Sequence, residues 1–129
     1  MIDPQQEIFT ELLVILREKL NCEVYDSALP PEGTPYPFVY VGNTNTMDRQ
    51  LKGAVICTVT QAVHVYSEAL NNRGDFSNIC YQIKQIARSL RRTKHYGVHV
   101  RGIDQAVLPD NTTQTPLLHA DIQIEYQCS

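Results

Sequence analysis

Hydrophobic positions change period along this chain, and each change marks an element. From Pro4 to Leu20 the residues Ile8, Phe9, Leu12, Leu13, Ile15, Leu16 and Leu20 recur at helical spacing. They cover a face roughly 160° wide. Asp3 is placed to cap this helix, Pro4 suits its first position, and Gln6 completes a D-x-x-Q variant of the capping box. A face that broad has two neighbours, the sheet and either the second helix or a second subunit; burial within its own domain is the plainer reading. Glu23 to Asp26 then reads as a short strand. Prolines at 30, 31, 35 and 37 make the stretch from Ser27 to Pro37 a stiff, extended surface loop.

Strand patterning follows. Phe38 and Tyr40 point to one face, Val39 and Val41 to the other. Asn43 to Gly53, NTNTMDRQLKG, is polar, turn-rich and long for a hairpin loop, which predicts a projecting arm containing Met47, Asp48 and Arg49. Val55, Cys57, Val59, Val63 and Val65 alternate onto one face, with Gln61 interrupting as a bulge would. The turn Asn71-Asn72-Arg73-Gly74-Asp75 offers Asp75 as an N-cap. A second helix follows, with Phe76, Ile79, Cys80, Ile83, Ile86, Ala87 and Leu90 inside roughly 120° of the wheel. After a turn at Thr93 to Tyr96, a strand alternates through Val98 and Val100, with Gly102 as a bulge or bend, and Pro109 to Pro116 form an exposed loop. The last strand is the clearest: Leu118, Ala120, Ile122, Ile124 and Tyr126 face one way, and His119, Asp121, Gln123, Glu125 and Gln127 the other. The predicted order is αβββαββ, one α+β domain over 1–129, with two helices packed on one face of an antiparallel sheet.

Composition narrows the class. A hydrophobic fraction of 43% and a charged fraction of 19% are those of a globular chain. No apolar run approaches the roughly 20 residues of a membrane span, and the start of the chain lacks the pattern of a signal peptide. Cys22, Cys57, Cys80 and Cys128 are scattered, without a CxxC, and read as reduced packing residues of a cytosolic product. With 11 basic residues against 14 acidic ones, the net charge of -3 carries no global footprint of a nucleic-acid binder.

Chemistry is sparse. The sequence contains no phosphate-binding glycine loop, HExxH, GxSxG or paired-cysteine zinc motif, so no catalytic, cofactor or metal residues are assigned. His64, His99 and His119 lie on strand faces opposite the core, with Asp121 beside His119 in sequence. If their strands are neighbours in register they converge as a metal or acid-base site; otherwise they are polar residues of a solvent-facing or subunit-facing sheet. Lys84, Arg88 and Arg91 recur at helical spacing beside the apolar seam, extended by Arg92 and Lys94. Cations there complement the helix dipole; a salt bridge to an acidic neighbouring subunit or contact with phosphates is the functional alternative.

Two stretches carry a family resemblance. Pro35-Tyr-Pro-Phe-Val-Tyr-Val-Gly, followed by a strand ending in His64-Val-Tyr-Ser, then Gly74 and a helix bearing Ile79, Ile83, Ile86 and Leu90, resembles the tail terminator proteins of long-tailed bacteriophages. The similarity covers residues 4 to 92. This chain has Tyr66 where relatives often carry Trp. The resemblance implies a structural, non-enzymatic protein of the virion neck, made in the bacterial host cytoplasm. Such a protein assembles with itself as a ring, usually a hexamer, caps the finished tail tube and meets the head-completion or connector protein. DNA passes through its lumen without specific binding, and no membrane or cofactor is involved. On that reading Met47, Asp48, Arg49, His64, Lys84, Arg88, Arg91, His99 and His119, with the broad apolar face of the first helix, are candidate subunit or partner surfaces. The alternatives are another neck component, a head-completion or stopper protein, or a small metal- or ligand-binding domain using the histidine face.

Overall fold

The computed structural model describes residues 3–26, 30–68, 73–110 and 116–129. Its elements follow the predicted order: α1 (Pro4–Lys19), β1 (Glu23–Asp26), β2 (Phe38–Leu51), β3 (Ala54–Glu68), α2 (Arg73–Ser89), β4 (Val98–Asp110) and β5 (Leu117–Cys128). The strands form one sheet in the order β1-β2-β3-β5-β4. The class is α+β, as expected, but the sheet is mixed rather than wholly antiparallel. β1 runs parallel to β2, with Glu23 beside Phe38 and Asp26 beside Val41, while the other three pairings are antiparallel. The connection between β1 and β2 is too proline-rich for a tight hairpin, and it carries the chain back so that β2 starts where β1 started.

Both helices lie on one face of the sheet. Ile8, Leu12 and Leu16 of α1 and Phe76, Cys80, Ile83 and Ala87 of α2 join Val39, Val63, Val65, Ala120, Ile122, Ile124 and Tyr126 in a continuous core. Each fully buried Leu, Ile or Val contributes about 1.5–3 kcal/mol. The broad face of α1 is thus consumed within the chain: Leu13 and Leu20 are also buried, and Phe9 and Ile15 pack against the core. It is not a free ring surface, and Val14 is the large apolar residue that α1 leaves exposed.

Local signals were mostly placed correctly, with three corrections. Asp3 caps α1, accepting from the Gln5 amide at 2.8 Å, but Gln6 reaches Thr10 instead of closing a capping box. Helix α2 begins at Arg73, so Asp75 sits in its first turn, not at its cap. The bulge expected at Gln61 lies in the neighbouring strand: Val41 pairs with Val63 and Thr44 with Gln61, leaving Gly42 and Asn43 opposite the single residue Ala62. Gln61 keeps its core-facing register and is fully buried. Its carboxamide donates to the carbonyls of Gly42 (3.1 Å), Asn43 (3.2 Å) and Ala62 (2.9 Å), two of which the bulge removes from the ladder. The bulge at Gly102 is observed, between Val100 and Gly102 of β4.

The polar stretch after Gly42 is strand, not loop. β2 continues to Leu51 and returns through a two-residue turn at Lys52-Gly53, where Gly53 adopts φ 82°. Because β5 ends opposite Cys57, the pairs from Arg49–Ile56 to Leu51–Ala54 extend past it as a two-stranded tip. The four cysteines are free thiols. Burial pushes the Cys80 thiol up to about 11 and the Cys128 thiol up to about 12, as suits packing residues. Residues 27–29, 69–72 and 111–115, which include Asn71, Asn72 and most of the predicted Pro109 to Pro116 loop, lie outside the described residues.

Candidate functional site

Strand register decides which predicted residues meet. On the face away from the helices, Phe38 of β2, Tyr66 of β3, His119 of β5 and Leu108 of β4 form one cross-sheet row; Tyr40, His64, Asp121 and Ala106 form the next. The first row is an aromatic stack. Tyr36 lies over Phe38 at 5.4 Å between ring centroids, Phe38 over Tyr66 at 5.1 Å, and Tyr66 over His119 at 4.3 Å with only 8° between the planes. Tyr25 closes the end edge-on to Phe38.

His64 and His119 sit diagonally across these rows and are hydrogen-bonded, Nδ1 of His64 to Nε2 of His119 at 2.9 Å. Asp121 Oδ1 is 3.9 Å from the same His64 nitrogen and accepts from Gln123 Nε2 at 2.6 Å. Gly42 makes room for the ring: a Cβ there would meet His64 Cδ2 and Nε2 at 3.0 Å. The bulge and the histidine pair are therefore one packing unit.

His99 does not join them. It pairs with Gln127, eight residues along β5 from His119 and so about 27 Å away at ~3.4 Å per residue. A three-histidine site is thus ruled out by register, and among the described residues no group of three or more His, Cys, Asp or Glu is arranged to hold a metal ion. His99 instead shares a row with Thr58 and Met47. Met47 and Arg49 line a shallow basin there with Ile56, Thr58, Arg101, Glu125 and Gln127, while Asp48 points to the other side of the hairpin. Lys84, Arg88 and Arg91 are on the opposite layer, facing outward from α2 and the residues after it. The predicted residues therefore occupy four separate places.

Solved structures share the architecture. A chain from the virion of a native gene transfer agent particle matches with a TM-score of 0.66 at 13% identity, covering 97% of this chain and 93% of that one. The likeness is one of fold. Another solved chain matches with a TM-score of 0.61 at 15% identity, over 98% of this chain and 97% of its own length. No protein-family model and no curated protein matches the sequence. Among the described residues no helix is long and apolar enough to cross a membrane.

The aromatic environment governs how the histidine pair titrates. Burial disfavours charge on His64, and Asp121 only partly opposes it, so its pKa falls below the ordinary value. His119 shifts the same way, from burial and then from the neighbouring His64. A neutral pair satisfies the contact with one N–H and one lone pair; a second added proton removes the acceptor. Because both folded-state values are depressed, the unfolded chain takes up protons first. Stability from the pair is complete above the unfolded value of about 6.5 and is lost as pH falls through the lower folded values. Melting temperature should therefore drop as pH falls below about 6.5, and His119→Gln should flatten that slope. An unchanged slope in the variant would contradict the assignment. Glu7 acts in a lower window. Its burial raises the carboxyl pKa, but hydrogen bonds from the His95 ring (2.6 Å) and amide (2.9 Å) outweigh this, leaving it below 4.5.

Proposed function

We propose that this chain is a ring-forming virion protein, a tail terminator that caps the completed tail tube and joins it to the head. The observation that carries the reading is fold likeness to a virion chain along nearly the whole length of both. The hairpin tip supports it, since the exposed Leu51 and Val55 reach past the end of β5 without covering any core, and Met47 just below the tip is 65% exposed. An exposed finger on a rigid sheet suits docking between assembled rings. Head joining and tube capping need shape and charge complementarity, and an open polar and aromatic sheet face provides both.

Native mass spectrometry across a concentration series, with imaging of the same samples with and without tail tubes, tests the reading. Rings, free or on tube ends, are expected. Retention on DNA-filled heads and not on tubes would indicate a head-completion or stopper protein instead. The structure also defines a clean variant of the tip. Replacing Arg49–Ile56 by Asn-Gly joins Asp48 to Cys57 with a turn that fits a two-residue hairpin and keeps Cys57 paired with Cys128. Stability should change by no more than about 1 kcal/mol, because the removed side chains are largely solvated. Joined particles should fall to the level of a null allele; normal yield would remove the tip from the mechanism.

A further inference from the structure

We infer that the basic outer surface of α2 docks on the open acidic sheet face of a second copy of this chain, so that identical subunits join through unlike faces. The inference rests on the ring-forming reading and names its subunit contact. Arg73, Lys84, Arg88, Arg91, Arg92 and Lys94 hold six of the chain's 11 basic residues within one segment that contains a single acidic residue, Asp75. Lys84 is half-buried and the others are exposed. The helix dipole accounts for little of this, because its influence fades beyond the last turn. Only Arg88 lies in that turn; Arg91, Arg92 and Lys94 come after the helix ends at Ser89. The ion pairs among the described residues, Arg17–Asp26, His64–Asp121 and Glu7–His95, leave this cluster unmatched.

The matching charge is on the other layer. On the open face, Asp104 of β4 lies opposite Gln123, and Asp121 and Glu125 flank Gln123 on β5, so three carboxylates surround one residue. Neither Asp104 nor Glu125 is in an ion pair, although Arg101 shares the basin with Glu125. Apolar surface accompanies each side: Leu108, 54% exposed, and Ala106 border the carboxylates, and Tyr81, 58% exposed, precedes Lys84 on α2. An isologous dimer through the helix face would set like charge on like charge. Contact between the two unlike faces is attractive, and repeating it generates a ring when the rotation closes. The basic segment thus has its complement in the same sequence, on the far side of the molecule, where only another copy can present it.

Two charge-reversed proteins test this. Arg88→Glu with Arg91→Glu reverses the helix face, and Asp104→Lys with Glu125→Lys reverses the sheet face; Arg88, Arg91 and Asp104 are exposed and Glu125 is half-buried. Each variant alone should run as a monomer in native mass spectrometry while melting like the wild type. Mixing them in equal amounts should restore rings with alternating subunits, because each reversed face meets its reversed partner. The chain carrying all four changes should also assemble. As a check independent of substitution, raising salt from about 50 to about 500 mM should dissociate wild-type rings. Variants that assemble singly, a mixture that stays monomeric, or salt-independent rings would overturn the inference while leaving ring formation intact. Loss of DNA retention by the helix variant, with the sheet variant assembling normally, would reassign the stripe to phosphate contact. A wild type that never assembles, with or without tubes, would overturn the ring-forming reading itself.

Discussion

Tyr126→Ala is expected to cost about 3–5 kcal/mol, the range for removing a fully buried aromatic ring. Folded domains of this size are stable by only about 5–15 kcal/mol. The side chain is 0% exposed and sits in the middle of the sheet, opposite Val59 on β3 and Val100 on β4. Its hydroxyl donates to the Ala87 carbonyl at 2.9 Å, in the last turn of α2, where the only backbone donor to that oxygen among the described residues is the Leu90 amide at 3.3 Å. Burial accordingly pushes the phenol well above its ordinary pKa. Tyr126→Phe separates the two contributions: it keeps the ring and leaves the Ala87 carbonyl with only the longer Leu90 amide bond, for about 1 kcal/mol. Urea unfolding should show the midpoint falling in both variants with an unchanged slope. A loss below about 1.5 kcal/mol for the alanine variant would mean that the ring is not close-packed between α2 and the sheet.

The fold was legible wherever one face of an element is buried and the other wet. β5 is the plainest case, since every inward residue named from alternation is buried in the structure. β1 was bounded correctly at Glu23–Asp26, yet its direction was not, because four residues carry no signal for the strand beside which they lie. The run from Asn43 to Leu51 was misplaced for a different reason. It is strand with solvent on both faces at its tip, so it lacks the period that marks a strand. Gln61 gave a true signal assigned to the wrong strand: a polar residue in an apolar register marked orphaned carbonyls across the ladder.

The surfaces were less legible, since side chains on an open face are joined by register alone. His64 and His119 meet because β3 and β5 are neighbours with Tyr66 opposite His119. His99 occupies an outwardly similar position on its own strand, but the pairing of β4 with β5 sends it to the far end. The aromatic stack from Tyr36 to His119 was missed altogether. Its residues come from a loop and three strands, and only the alternation of Phe38 with Tyr40 hinted at it. Alternation put Asp121 and Glu125 on one outward face of the last strand, but Asp104 was hidden, since only the pairing of β4 with β5 brings it opposite Gln123.

Gln61→Leu is expected to cost about 2–3 kcal/mol even though it fills nearly the same space with a more hydrophobic side chain. The carboxamide is the donor for the bulge carbonyls of Gly42 and Asn43. Leucine would leave these acceptors without it, and each buried acceptor left unsatisfied costs about 1–3 kcal/mol. Part of the loss is offset, because the Gln61 Oε1 atom is itself buried without a partner and disappears with the substitution. The bulge supplies the decisive control. Deleting Asn43 leaves one residue opposite Ala62 and regularises the ladder between the Val41–Val63 and Thr44–Gln61 pairs. In the wild-type background that deletion removes an acceptor that Gln61 uses and should destabilise; with leucine at 61 the carbonyl needing a side-chain donor is gone. The two changes should therefore be strongly non-additive, the double variant recovering at least about 1 kcal/mol relative to the sum of the singles. Additive losses in urea unfolding would show that Gln61 is held in the core for some reason other than the bulge. The same double variant also reaches the open face. Gly42 lies against the His64 ring, so a changed chemical shift or titration of His64 would confirm that the core-side amide and the outer histidine pair are set by one backbone irregularity.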